Sequence, residues 1–206
     1  YGGYHTTPGV LNAFTRWETL HTFMQYSTYA MAGLPYMATG RNMACTKSVL
    51  LRAQQHELWN KLPSGDDDML VRIAGTAQNT AIVCHDTAFT YSDAKPTWKE
   101  WVAQKQRHLS TGKYYKVHIQ LLLGGYALSH ALMWLCFLVM LFFYWKTAFI
   151  LAGVRCKAYW VLWSAAAGRV QEKKLIPLFP FFDPGWAVYN FVFLPYITWK
   201  NKQNWK

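Results

Sequence analysis

Between Ile119 and Tyr144 the chain carries no charged side chain apart from the imidazole of His130. A backbone in hydrocarbon must satisfy its own hydrogen bonds, so an apolar run beyond about 20 residues is read as a helix that crosses a bilayer. A second apolar run, Thr147 to Ala167, holds Arg155 and Lys157 near its middle. These are costly in lipid and should face protein, a lipid phosphate or a water-filled groove, or else leave the segment partly interfacial. A third run, Ile176 to Trp199, is interrupted by Pro177, Pro180, Asp183-Pro184-Gly185 and Pro195. It either spans or forms a broken, re-entrant element, because spanning would place Lys200, Lys202 and Lys206 on the outer side.

Charge follows the same division. Residues 1–116 hold 12 basic and 8 acidic side chains, and 117–206 hold 9 and 2, so the net charge of +11 gathers beside the apolar runs. That distribution is the one expected of cytoplasmic loops, Gly168 to Lys174 among them. It excludes a nucleic-acid partner, since no recognition module accompanies the basic residues. Many of the 11 tryptophans cluster after Trp98 and suit a membrane interface, where an apolar ring meets a wet tip. Cys45, Cys84, Cys136 and Cys156 have neither C-x-x-C nor zinc spacing and read as reduced packing residues. The chain begins at Tyr1 without a signal-peptide pattern and is expected to be part of a longer protein.

Ahead of the apolar runs the pattern is mixed. Residues 1–12 read as a loop ending at Asn12, an N-cap. Phe14, Trp17, Leu20, Met24 and Met31 predict a helix over 13–32 with one buried stripe, leaving Arg16, Glu18 and His21 on other faces. Gly33-Leu34-Pro35 ends it, and Tyr36 to Thr39 predicts a short strand leading into Gly40-Arg41-Asn42. A second helix is expected from Thr46 to Trp59, a third from about Met69, then strands over Thr80–His85 and Thr87–Tyr91. His85 and Asp86 would point to opposite faces there, so they are assigned no metal. A helix from Lys95 onward, capped by Thr97 or Asp93, sets Trp98, Trp101 and Val102 beside many basic residues, as an amphipathic helix in the headgroup plane would.

Two clusters carry chemistry. Asp66-Asp67-Asp68 follow Gly65, in a stretch that opens at Pro63-Ser64, and adjacent carboxylates need a cation, a ligand or water to offset their repulsion. Alone they also suit a helix N-terminus, where the backbone dipole favours acids. Gln104, Arg107 and His108 share one helix face, an amide, a guanidinium fork and an imidazole able to grip phosphate or sugar hydroxyls. A basic helix extended toward lipid headgroups would have the same composition.

In order and separation, the two clusters resemble the C-terminal half of a membrane-bound family 2 glycosyltransferase. In that family an acidic pair precedes a leucine and a Q-x-x-R-W motif follows on a helix along the membrane. Gly65-Asp66-Asp67-Asp68-Met69-Leu70 is similar to the first and Gln104-Lys105-Gln106-Arg107-His108 to the second, with Gly40-Arg41-Asn42-Met43-Ala44 similar to the segment before the base. The resemblance implies that Asp67 is the catalytic base, with Asp66 as the alternative register. It implies substrate contacts from Gly40, Arg41, Asn42, Asp66, Asp68, Gln104, Arg107 and His108. His108 stands where the family has tryptophan, a ring suited to stacking on sugar, and its presence favours a non-processive acceptor.

The expected fold class is α/β: the C-terminal half of a GT-A domain over residues 1–94, an amphipathic interfacial helix over 95–117, and two or three transmembrane helices over 118–206. The implied reaction is inverting transfer from a nucleotide-sugar donor to a lipid-linked or saccharide acceptor, at the cytoplasmic face of an inner or plasma membrane. A divalent metal, Mg2+ or Mn2+, would be bound mainly by an N-terminal half with its D-x-D residues, so this segment alone is expected to be inactive. The competing reading is a non-enzymatic transporter subunit or scaffold whose acidic triplet binds cations or a partner.

Overall fold

The computed structural model describes residues 1–59 and 65–198. Pro63, Ser64, Trp199 and the lysines at 200, 202 and 206 lie outside the described residues. The chain divides into two compact units, one of residues 1–120 joined by the chain from Phe193, the other Leu121–Val192.

In the first unit two short strands, β1 (Gly2–Tyr4) and β2 (Thr90–Ser92), pair in parallel, Gly2 opposite Thr90 and Tyr4 opposite Ser92. Helix α1 (Val10–Met31) begins after Gly9, whose φ of 114° turns the chain into the helix. Asn12 therefore lies inside the first turn and pins the loop instead of capping: its Oδ1 accepts from Thr7 N–H at 3.1 Å and its Nδ2 donates to His5 O at 3.0 Å.

Helix α1 is buried on more than one stripe. Trp17, Leu20, Phe23 and Tyr26 form an apolar face, but Arg16, Glu18 and His21 are buried as well, contrary to the expectation of one buried stripe. The reason is helix α4 (Trp98–Leu109), which covers a second side of α1 and brings Lys105 into a close ion pair with Glu18. Phe14 meets Trp101 edge-on at 5.5 Å, and Trp101 meets Phe193 at 5.8 Å. His21 stacks on Trp17 at 5.6 Å and so has a packing role. Each such ring pair adds about 0.5–1.5 kcal/mol beyond burial.

Between these helices lie a 3-10 turn (Gly40–Asn42), α2 (Lys47–Gln54), α3 (Asp66–Ala74) and a second 3-10 turn (Asp86–Ala88). Helix α2 ends short of the expected Trp59. Tyr36–Thr39 is not a strand: Tyr36 is buried, its ring edge-on to Tyr29 at 5.4 Å and Tyr115 at 5.3 Å, and packing replaces a ladder. Thr80–His85 is also not a strand: Val83 is 60% exposed and Thr80 and Ile82 only half-buried, so the segment covers little apolar surface. Of the second predicted strand only Thr90 and Tyr91 fall in β2. The described residues are thus mostly helical, with one two-stranded sheet in place of the expected GT-A half-sheet.

Helix α5 (Val117–Phe143) is the one helix among the described residues that is long and apolar enough to cross a membrane, against the two or three expected. Hardly any of its most apolar stretch is buried by protein, which separates it from the core helix of a water-soluble fold. Helices α6 (Trp145–Arg169) and α7 (Phe179–Thr198) are joined by a 3-10 segment, Lys173–Leu178. Both are less apolar, α6 through Lys146, Arg155 and Lys157, α7 through Asp183, Asn190 and its prolines.

The second unit is built around Asp183. Its carboxylate accepts from Arg155 Nη1 at 2.5 Å and Nη2 at 3.1 Å, and His130 Nε2 lies 3.1 Å from Oδ1. Arg155 also lies over the Tyr159 ring at 4.3 Å, and Tyr126 and Tyr159 join hydroxyls at 3.1 Å. An ionic group amid apolar helices is tolerable only when paired, so α5, α6 and α7 are held in one register by three side chains. The expected exposure of Arg155 to protein, lipid phosphate or water is resolved in favour of protein.

Replacing Asp183 by Asn strands Arg155, and thermal unfolding in detergent is expected to show a loss near the lower end of about 3–5 kcal/mol. The double replacement Arg155→Met with Asp183→Leu, which removes both charges, is expected to lose markedly less.

Candidate active site

The site begins at Gly65, held at φ 86° and ψ 32°, a left-handed conformation that places it just ahead of α3. A Cβ there would meet Thr111 Cγ2 at 2.3 Å, so the turn needs glycine for two reasons, its dihedral angles and its close approach. All three aspartates then fall in the first turn of α3, where unpaired backbone N–H groups favour negative charge.

Their environments differ sharply. Asp66 is exposed and Asp67 half-buried, while Asp68 retains 6% of its surface. Asp67 Oδ2 accepts from Gly40 N–H at 2.8 Å, and its Oδ1 accepts from Asp68 N–H at 3.0 Å. Two backbone donors thus orient one carboxylate that still reaches solvent. Asp68 Oδ2 instead meets the hydroxyls of Thr111 and Tyr115, each at 2.7 Å. Burial and the neighbouring charge of Asp67 push the Asp68 carboxyl up to about 7, although bonds from Thr111, Tyr115 and the Ala38 backbone pull the other way. Burial raises the phenols of Tyr36 and Tyr115 too, with the Asp68 charge adding to the effect.

The Gly40–Asn42 turn serves Asp67 through its backbone. A Cβ on Gly40 would lie 3.2 Å from Asp67 Oδ2, so the residue's small size admits the carboxylate. Arg41 turns the other way: Nε and Nη2 donate to Gly2 O at 3.0 and 2.5 Å, Nη1 donates to Tyr4 OH at 2.9 Å, and the guanidinium covers the Tyr4 ring at 4.1 Å. Asn42 Nδ2 donates to Ala88 O at 2.7 Å. Both side chains fasten the turn to the strand pair.

Helix α4 supplies the basic face. Thr97 caps it, its Oγ1 accepting from Glu100 N–H at 3.3 Å, which selects Thr97 over Asp93. Gln104 Nε2 donates to the Tyr4 hydroxyl at 3.4 Å, so Tyr4 links Gln104 to Arg41. Arg107 is half-buried. Desolvation of the imidazole by the surrounding protein, and then the charges of Lys105, Arg107 and Arg41, push His108 down to about 3. More than a third of His108 stays open, and any downward shift leaves the imidazole neutral at pH 7. Beyond α4, a 3-10 turn (Gly112–Tyr114) brings Tyr114 O to Arg72 Nε of α3, which donates to it.

The structure therefore places Gly40 on Asp67, joins Gln104 to Arg41 through Tyr4, and brings the end of α4 against the start of α3 through Thr111. It gives Arg41 and Asn42 bonds within the protein, and Asp68 an interior position. Tyr4, Tyr36, Thr111 and Tyr115 are the contributors that motif reading missed. Thr111 and Tyr115 trail His108 by three and seven residues, a helical spacing that marks them only once that face is known to meet the acids. Among the described residues no group of three or more His, Cys, Asp or Glu side chains is placed to hold a metal ion.

A protein-family profile described as glycosyl transferase family group 2 matches residues 3–170. No curated protein and no solved structure matches the chain.

Gly65→Ala combines backbone strain with the Thr111 contact, and chemical denaturation is expected to show a loss of about 1–3 kcal/mol or more. Gly124→Ala, where nothing lies within 4 Å, serves as the control and is expected to stay within about 1 kcal/mol of the parent.

Proposed function

Because the chain belongs to glycosyl transferase family group 2, a family whose members transfer sugars, we propose that it forms the acceptor side of an inverting transferase. The donor is a nucleotide sugar and the acceptor a lipid-linked or saccharide hydroxyl. The observation that carries this reading is the state of Asp67. Two amide N–H groups aim its carboxylate, it is open on one side, and it lies on the helix that meets the end of the Gln104–Arg107 helix.

In this mechanism Asp67 takes the proton of the acceptor hydroxyl as the oxygen attacks the anomeric carbon. The carbon–oxygen bond to the nucleoside diphosphate breaks on the opposite face, which inverts the centre. One base suffices, because no enzyme-bound intermediate forms. Gly40 positions the base, and exposed Asp66 accepts from other acceptor hydroxyls. Arg107 offsets charge on the departing diphosphate, where a fixed donor fork is worth most in a site shielded from water. Gln104 orients the donor from its anchor on Tyr4. His108, neutral, contributes a hydrogen-bonding ring edge where the wider family has an indole face, which suits a non-processive acceptor.

Exposed apolar α5 supports a membrane location for the protein. Under the positive-inside trend the first unit and the Gly168–Lys174 segment lie on the cytoplasmic side of an inner or plasma membrane, beside a lipid-linked acceptor.

The test is sugar-nucleotide turnover by the intact membrane protein across a panel of donors. Asp67→Asn and Arg107→Ala, in protein that folds like the parent, are each expected to lower turnover by about a hundredfold or more. Unchanged turnover in both would move the chemistry away from these residues and favour a scaffold role for the acidic turn.

A further inference from the structure

The contacts around Asp68 call for a proton that the motif does not suggest. Thr111 has a single hydroxyl proton, yet its Oγ1 lies 2.7 Å from Asp68 Oδ2 and 2.8 Å from His108 O. Tyr115 OH lies 2.7 Å from the same Asp68 oxygen. These three contacts between oxygen atoms need three protons, and an ionised Asp68 leaves only the two from Thr111 and Tyr115. Short contacts without a shared proton are unfavourable, all the more at a site where Asp68 retains 6% of its surface. A protonated Asp68 completes the set. Its Oδ2–H donates to Thr111 Oγ1, Thr111 donates to His108 O, and Tyr115 donates to Oδ2.

We infer that Asp68 is a protonated positioning residue, a neutral acid that relays hydrogen bonds from the first turn of α3 through Thr111 to the end of α4. Its role deepens the proposed function and rests on it for its purpose. Asp68 does not touch substrate. It fixes the base helix against the helix bearing Gln104 and Arg107, and as a neutral group it leaves the negative charge of the pair to the carboxylate on the open side. Two adjacent carboxylates share this arrangement readily, since like charges at close range disfavour double ionisation. The titratable groups that face Asp68 are Asp67 on its own helix, Tyr36 from the loop before Gly40, and Tyr115 after α4. Both tyrosines stay neutral, so Asp67 is the charged neighbour among them. The raised carboxyl of Asp68 accords with this geometry.

Infrared difference spectra of the intact protein in detergent, taken between about pH 5 and about pH 9, read the proton directly on either side of the shifted value. The expected result is a carboxylic-acid carbonyl band that is present at the acid end, disappears at the alkaline end, and is missing from Asp68→Asn throughout. Thr111→Val, which removes the acceptor of the acid proton, is expected to move that band. It also serves where Asp68→Asn fails to fold. Thermal stability supplies an independent reading. A folded carboxyl that holds its proton above the unfolded value of 3.8 makes stability fall as pH rises from about 4 to about 7, and Asp68→Asn is expected to lose that component of the fall. An unchanged band in Asp68→Asn or in Thr111→Val, or an undiminished fall in Asp68→Asn, overturns the assignment. Neither readout uses sugar transfer, so the failure of this inference and the failure of the glycosyltransferase reading are separate outcomes.

Discussion

The contact between the first turn of α3 and the end of α4 is the constraint on which the first unit depends. Gly65 brings the backbone within reach of Thr111, and a side chain there would hold the two apart. Once they meet, Asp68 is sealed beneath Thr111 and Tyr115, Arg72 takes the carbonyl of Tyr114, and Asp67 is left at the edge facing Gly40. A buried polar cluster of this kind is favourable only when every member has a partner. That requirement ties the position of Asp67 to residues more than forty positions away in the chain. It also explains why α4 is amphipathic in two directions. Its aromatic edge packs on Phe14 and Phe193, Lys105 pairs with Glu18, and the Gln104 and His108 positions remain beside the turn.

Much of this was legible in the residues themselves. The uncharged run from Ile119 to Tyr144 became α5 with ends shifted by two residues or fewer, because a long apolar segment has no other way to satisfy its backbone. The break at Gly33-Leu34-Pro35 was equally direct, since it follows from local dihedral freedom, and the cap of α4 was legible down to two candidates, Thr97 and Asp93, of which the structure selects Thr97. The strands were not. Thr80–His85 has strand-like composition, but strand formation depends on a partner and a surface to cover, neither of which is encoded in the segment. Burial of Glu18 was hidden for a similar reason. A carboxylate on a helix reads as exposed until its cation, here Lys105, is known to lie opposite.

The second unit solves a different problem with the same economy of partners. Arg155 and Asp183 each stand within apolar helices where a lone charge is costly, and together with His130 they form one cluster covered by Trp134, Tyr159 and Trp186. Individually, each broke the pattern of an otherwise plausible membrane helix. Considered as a set they account for part of why α6 and α7 fall short of the apolar character of α5: Arg155 and Asp183, two of the residues that lower it, bond to each other across the unit.

The acidic triplet was ambiguous by one register in the sequence, and in the structure its three side chains meet different surroundings. Three adjacent carboxylates cannot be accommodated in three equivalent ways, since a helix points successive side chains about 100° apart. One is therefore turned to water, one to the rim and one to the interior, as Asp66, Asp67 and Asp68 are. Water screens the first, two amide N–H groups hold the second, and a proton with two hydroxyls suits the third. A general base must both be aimed and be reached, and the exposed position lacks the first condition while the interior position lacks the second. Only the rim meets both, which is why the proposed mechanism gives the role to Asp67.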